Sequence, residues 1–310
     1  REVLAGYGIT EERLGVPVVT TVDTVYLGNC ANGRPVWFDR AAYEADLIVP
    51  INRVKLHTDF VGPIQSGLCK MLVIGLGNHK GCSAVHEEAP EVFADAIEET
   101  ARLILQKAPV GFGIAILENA YDKTYAVEAV PAEHLVEREK ELVQIAKGNM
   151  PYIMLDEADV IVCGAIGKDI SGAGFDPNIL GRSSVLKQFV LHIPRYQRLV
   201  LCDVTPASHG NGIGVGLFDV ITKKVAEQLD LESMYANAIA CNCLGDASVP
   251  CTVDDEETAI RVALKCCRNI DRDHPRIIRI QNTLHLGEIE VSEALLDAVR
   301  ADSRMSLIEN

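Results

Sequence analysis

Apolar positions along the chain alternate between two rhythms, a helical period near 3.6 and short continuous runs suited to buried strands. Phe93, Ile97, Ala101 and Ile104 recur at helical spacing behind Pro90, which suits a first turn, so 90–107 is expected to be an amphipathic helix. Residues 111–118 and 124–130 read as paired strands, and 132–147 as a charged, exposed helix. Nearer the start, 1–15 reads as a short helix ending at Gly15, and β-branched Val16 to Thr21 as a strand. The Asn32-Gly33-Arg34-Pro35 turn leads into a short strand at 36–38 and a helical piece at 40–45. The near-continuous apolar run from Asp46 to Asn52 reads as a strand covered on both faces.

The second half restarts in the same style, Ala158-Asp159-Val160-Ile161-Val162 echoing Ala45-Asp46-Leu47-Ile48-Val49. A strand at 198–204, a helix at about 217–229, a helix at 254–267 with an acidic first turn, a strand at 277–281 and a closing helix at 292–300 follow. The expected fold is therefore α/β, two α/β domains with mainly parallel sheets and a cleft between them. Gly148-Asn149-Met150-Pro151 reads as the hinge, dividing the chain into 1–148 and 149–310.

The 310 residues, 48% hydrophobic, suffice for two cores. Net charge is −15, from 44 acidic against 29 basic side chains, a balance that repels phosphate backbones and anionic lipid. No nucleic-acid partner and no membrane are expected, and no apolar run approaches a membrane span. Ten scattered cysteines without a regular framework suit a reducing, cytoplasmic setting. A homo-oligomer is left open.

The chemistry gathers between His57 and His86, where three histidines, Lys70 and five glycines follow a strand-like run. His57, two residues before Asp59, suits proton transfer, or caps a loop. Lys70, between apolar residues, reads as snorkelling, as pairing with a carboxylate, or as a nucleophile or covalent anchor. His86 precedes Glu87-Glu88 at a helix start; a single histidine is no metal site by itself. The glycines of residues 75–81 miss the dinucleotide fingerprint. The loop at 203–214 reads as an anion-binding backbone or a plain turn. Cys241, Cys243 and Cys251 match no metal spacing and read as buried packing cysteines.

Together, Gly33-Arg34-Pro35-Val36, Asp39-Arg40, Ala45-Asp46-Leu47-Ile48, Val54-Lys55-Leu56-His57, Phe60-Val61-Gly62, Ser66-Gly67-Leu68-Cys69-Lys70 and His86 resemble the N-terminal domain of the nickel-dependent lactate racemase family, in its members of unassigned substrate. A weaker match over 158–182, ending Gly174-Phe175-Asp176-Pro177-Asn178, resembles that family's C-terminal domain. The resemblance implies an isomerase that racemises or epimerises a small 2-hydroxy acid or sugar acid by hydride transfer to a nickel-pincer nucleotide, with cofactor-synthesis enzymes as partners. It implies Lys70 as the cofactor's tether, Ser66 and Gly67 as cofactor-binding, His86 as the nickel ligand and His57 as an acid/base. Where a second acid/base histidine would fall stands Val22-Asp23, which makes Asp23 the expected substitute. Arg182 and Lys168 are expected to contact a carboxylate or phosphate. The spacing from Lys70 to His86, 16 residues, fits the family, whereas His57 to Lys70, at 13, is longer than usual. The N-terminal domain is expected to lack its first segment. The alternative is a non-catalytic ligand- or nucleotide-binding protein on the same scaffold.

Overall fold

A computed structural model describes residues 2–308 of the chain. It divides into two compact units: one holds the residues through 56, 62–117 and 124–146, the other 57–61, 118–123 and 147 onward.

The first unit begins with α1 (Glu2–Gly6) and α2 (Glu11–Leu14), the latter stopped by Gly15 in the left-handed region at φ 70°. Val16 to Thr21, expected as a strand, is irregular and largely exposed. Among the described residues its β-branched side chains have no neighbouring strand, and Pro17 lacks an N–H for a ladder. Instead β1 (Thr24–Asn29) pairs antiparallel with β2 (Pro35–Asp39). The Asp39 carboxylate then caps α3 (Arg40–Tyr43).

The strand expected at 46–52 shrinks to an isolated bridge at Ile48 and to β3 (Ile51–Arg53). Pro50 interrupts the ladder, and Leu47 and Ile51 are each 55% exposed, so this run is not covered on both faces. Next come α4 (Leu68–Lys70), a π-helical turn (Met71–Gly75), α5 (Asn78–His86) and α6 (Phe93–Lys107). As the spacing requires, Phe93, Ile97, Ala101 and Ile104 are all buried. β3 runs parallel to β4 (Phe112–Glu118), which neighbours β5 (Thr124–Pro131). α7 (Leu135–Asn149) is not the exposed helix expected: Leu135, Val136, Glu139, Leu142, Val143 and Ala146 are buried. Its charges hid an apolar stripe.

The second unit carries β6 (Val160–Cys163), α8 (Pro177–Leu180), β7 (Arg198–Leu201), β8 (Val220–Thr222), α9 (Lys223–Gln228) and α10 (Leu231–Ala240). β9 (Cys251–Val253), α11 (Glu256–Lys265), β10 (Ile277–Ile280), β11 (Ile289–Val291) and α12 (Leu296–Ala301) complete it. One six-stranded sheet, ordered β11-β10-β6-β7-β8-β9, is parallel except for the β10–β11 edge. In β6, Ile161 and Cys163 join the core around Phe175 and Leu201, while Val160 and Val162 pack towards Ala259 and Ala263 of α11. Both faces are thus covered, the condition for a parallel sheet. Residues 217–229, expected as one helix, instead hold β8, whose three residues are buried between β7 and β9, followed by α9. The α/β class with a mainly parallel sheet is what the sequence led us to expect.

Among the described residues, no helix is long and apolar enough to cross a membrane. The cysteines are free: Cys243 is buried as expected, but Cys241 and Cys251 are exposed, and of the Cys266-Cys267 pair only Cys267 is buried.

Candidate functional site

Lys70 lies in the first unit, on a turn built by three local constraints. Lys55 and Ser66 exchange backbone hydrogen bonds, with Lys55 N–H donating to Ser66 O at 2.9 Å and Ser66 N–H to Lys55 O at 3.1 Å. The Asn52 amide donates to Gly67 O at 2.9 Å. From beneath, the Glu139 carboxylate of α7 accepts the Cys69 N–H at 2.8 Å, supplying the short α4 with the cap its own N-cap residue, Gly67, cannot. Glu139 is fully buried and its Oε1 has no partner among the described residues. Burial pushes its carboxyl up to about 7, against the opposing pull of the Cys69 and Leu68 backbone N–H groups. Burial, helped by the charge of Glu139, also drives the Cys69 thiol well above its ordinary range.

Gly67 is needed here for space. A Cβ at this position would stand 2.6 Å from Glu139 Oε1. Gly67→Ala is therefore expected to push the carboxylate off the Cys69 N–H and to destabilise the chain by about 1–3 kcal/mol, the usual effect of orphaning a buried donor. Urea unfolding of the two proteins side by side measures it; equal midpoints would mean that this turn has slack the packing does not suggest.

Beyond Lys70 the π-helical turn closes with the Leu76 N–H donating to Met71 O at 2.8 Å. Such turns interrupt a helix where a side chain must be re-aimed. α5 then brings Cys82 and His86 onto one face. The His86 Nδ1 lies 2.8 Å from Cys82 O and 3.4 Å from Cys82 Sγ. A carbonyl only accepts, so Nδ1 carries the proton and Nε2 is the lone-pair nitrogen of the neutral ring. The ring is exposed and set edge-on to Phe93, with centroids 4.9 Å apart. Burial raises the Cys82 thiol, and the Lys70 ammonium pulls it the other way. Cys82 is thus bonded to His86 and feels the charge of Lys70. Among the described residues, no group of three or more His, Cys, Asp or Glu side chains is arranged to hold a metal ion.

Lys70 and Ser66 line a pocket of about 220 Å³ together with Asn52, Arg53 and Lys55. A larger cavity of about 700 Å³ in the same unit is lined by Trp37, His79 and Lys80 and by Arg34 and Glu88, which are ion-paired at 2.5 Å. There the charges are mixed, and the Lys80 ammonium already sits 4.6 Å over the Trp37 ring. Asp23 is an exposed residue just ahead of β1, its carbonyl accepting the Arg40 N–H at 2.9 Å.

His57 belongs to the second unit. The Asp59 N–H donates to its Nδ1 at 3.0 Å, which leaves the proton of the neutral ring on Nε2. The Asp59 carboxylate is 4.0 Å from Nδ1, and Phe60 stacks on the ring with centroids 4.3 Å apart. Buried Asn178, capped onto Asp176, donates to His57 O at 3.1 Å. Asn178 therefore positions His57, a role that spacing alone could not disclose. Asp59 also acts on Lys168, Cys243 and Asp246: burial lowers the Lys168 ammonium, with Cys241, Cys243 and Asp59 opposing, and burial raises the Asp246 carboxyl. The Lys168 amine donates to Gly172 O at 2.6 Å. Arg182 is bound to Asp219 at 2.7 Å and to Leu217 O at 2.8 Å, and lies 5.3 Å from the Tyr196 ring centroid, partners that hold it within its own fold.

No protein-family model matches the sequence, and no curated protein does. Among solved structures, the lactate racemase apoprotein from Thermoanaerobacterium thermosaccharolyticum is similar at TM-score 0.50 and 13% identity, over 91% of this chain and 73% of that one. A Thermotoga maritima protein is similar at TM-score 0.40 and 13% identity, over 62% of this chain and 53% of that one. The first of these likenesses shows a shared fold.

Proposed function

We propose, starting from a fold shared with a lactate racemase, that this chain is a racemase or epimerase of a small 2-hydroxy acid or sugar acid that carries a nickel-pincer nucleotide on Lys70. The observation that supports the reading most is that one unit places Lys70 on the wall of a pocket and, 16 residues on, His86 with its Nδ1 anchored on Cys82 O. The residues fit such a group. The Lys70 amine lines a pocket, and the His86 Nε2 has its lone pair available while Nδ1–H is anchored on a carbonyl, as metal-bound histidines usually are. With one protein nitrogen as ligand, the remaining donors to nickel would come from the organic group itself. When bound, that group supplies a hydride acceptor.

The chain's own residues supply proton transfer and orientation. A 2-hydroxy acid gives up its hydride once its hydroxyl has lost a proton, so a base on each side of the substrate allows either enantiomer to react. His57 takes the proton at Nε2 after releasing the Asp59 N–H and shifting its own proton to Nδ1, where the charged ring pairs with the Asp59 carboxylate. Asn178 fixes the main chain that carries this ring. Asp23 is assigned the second proton transfer. Ser66 and Gly67 shape the turn that presents Lys70, and Lys168 offers a cation for the substrate carboxylate.

His57→Gln is expected to lower turnover by roughly 10²–10⁴-fold, the usual share of a general base, and to leave cofactor attachment at Lys70 intact. Turnover within a few-fold of the unaltered chain would remove His57 from the reaction. The exposed carboxylate of Asp23, standing in place of a histidine, favours a second reading: a ligand- or nucleotide-binding protein without turnover. A chain that binds the nucleotide yet exchanges no α-hydrogen of any 2-hydroxy acid with solvent or cofactor would establish that reading instead.

A further inference from the structure

We propose that the cavity of about 700 Å³ lined by β2 and α5 binds an alkylammonium group, and that the Lys80 side chain is its built-in competitor. This cavity shares no lining residue with the pocket at Lys70, so the inference stands apart from the cofactor reading. Two contacts fix its walls. Gly81 lets α5 lie directly on β2, since a Cβ there would stand 3.2 Å from Trp37 O. Tyr26, opposite Trp37 in the β1–β2 ladder, leans on the indole at 52° with centroids 5.3 Å apart. The indole is thereby held in place, and the first turns of α5 bring Lys80 to the same cavity.

The charges of the cavity sort into committed and available ones. Arg34, only 7% exposed, donates to Glu88, Glu99 and Ala96 O, and Glu88 also accepts the Asn32 amide at 3.0 Å. Cation and carboxylates neutralise one another within that wall. Glu87 is exposed and forms no ion pair among the described residues. The Lys80 ammonium has no carboxylate partner among them either; it stands 4.6 Å over the Trp37 centroid. An ammonium on an indole face, beside a carboxylate left unpaired in the same cavity, marks that face as a cation seat. No cation is left over to hold an anion, and the net charge of −15 draws cations in. An incoming alkylammonium takes the ring face, donates to Glu87, and releases Lys80 to solvent. Two sources share this chemistry, a free polyamine and the lysine side chain of a peptide, and the volume is that of a small-molecule site.

Trp37 is the single tryptophan of the chain, so its emission reports on this cavity alone. The test titrates n-butylammonium, the head of a lysine side chain, into the full chain at constant ionic strength. A saturable change in Trp37 emission is expected. A cation–π contact at an exposed site is weak, so Lys80→Ala is expected to lower the half-saturating concentration by about two- to fivefold. Lys80→Arg keeps a cation over the ring and should not lower it. Glu87→Gln is expected to raise it by about two- to fivefold, the usual share of an exposed ion pair. Spermidine binding tighter than a capped glycine-lysine-glycine peptide assigns the seat to a free polyamine, and the reverse order assigns it to a peptide lysine. Emission that sodium chloride changes equally overturns the site, as does Lys80→Ala leaving butylammonium binding unchanged or weaker. Butyrate saturating at lower concentration than butylammonium overturns it too, because Lys80 would then be an anion ligand.

Discussion

Lys70→Arg is expected to abolish covalent loading and to lower turnover by on the order of 10⁵-fold or more, the effective concentration lost when a reacting group is no longer held in place. Arginine keeps the positive charge of the pocket lined by Arg53 and Lys55, but its guanidinium stays protonated and offers no nucleophilic amine. The substitution therefore isolates the covalent role from the electrostatic one. Lys70→Ala removes both, so on this account the two variants are equally inactive. Turnover assayed on loaded preparations, with intact mass beside it, checks this. An arginine variant that still turns over would show that Lys70 serves as a point charge.

Glu139→Gln is expected to flatten the pH dependence of stability. Burial holds the Glu139 carboxyl near 7 in the folded chain, against an ordinary value of 4.5. A raised carboxyl means that the folded chain binds this proton more tightly than the unfolded one. The contribution of Glu139 to stability is thus most favourable below about 4.5, falls as pH rises towards 7, and carries the whole penalty above that, on the order of 3 kcal/mol. The groups around it do not share this trend. The Cys69 thiol is driven upward and stays neutral, and Glu98 is held ionised by Lys140 at 2.8 Å and Arg102 at 2.7 Å, each of which also bonds Glu137. Glutamine still accepts the Cys69 N–H but does not titrate. Urea unfolding at pH 4.5 and pH 8 should show the variant gaining about 3 kcal/mol on the unaltered chain between the two. Parallel profiles would mean that water or movement of the Gly67 turn relieves the buried charge.

The parts of the fold legible in the sequence were those where local pattern and burial agree. The Phe93–Ile104 stripe of α6 and the β4–β5 pair were read at nearly their observed bounds, because their side chains meet the core with the period of the element. Val16 to Thr21 misled because β-propensity describes fitness for a sheet, and among the described residues no strand lies beside it. β8 was hidden because three buried residues running straight into α9 look like one helix. On α7, surface charges concealed a buried stripe that includes Glu139, so the support beneath the Lys70 turn went unseen. Of the candidate residues, Lys70, Ser66, Gly67 and His86 were picked out through their motif, whereas Arg53, which lines the same pocket as Lys70, was not. Its alternation with Val54 was the available signal, and it becomes visible only once Val54 is known to face inward.

The account turns on Lys70 as the anchor of a nickel-bearing nucleotide. The direct measurement is the intact mass and nickel content of the chain after co-expression with nickel-pincer synthesis enzymes, with the modified residue mapped by peptide fragmentation. The account predicts one nucleotide-sized adduct on Lys70 with bound nickel, and nickel lost from His86→Ala while the adduct stays. Nickel and adduct both missing from a chain that folds, or an adduct mapped to another residue, would contradict it.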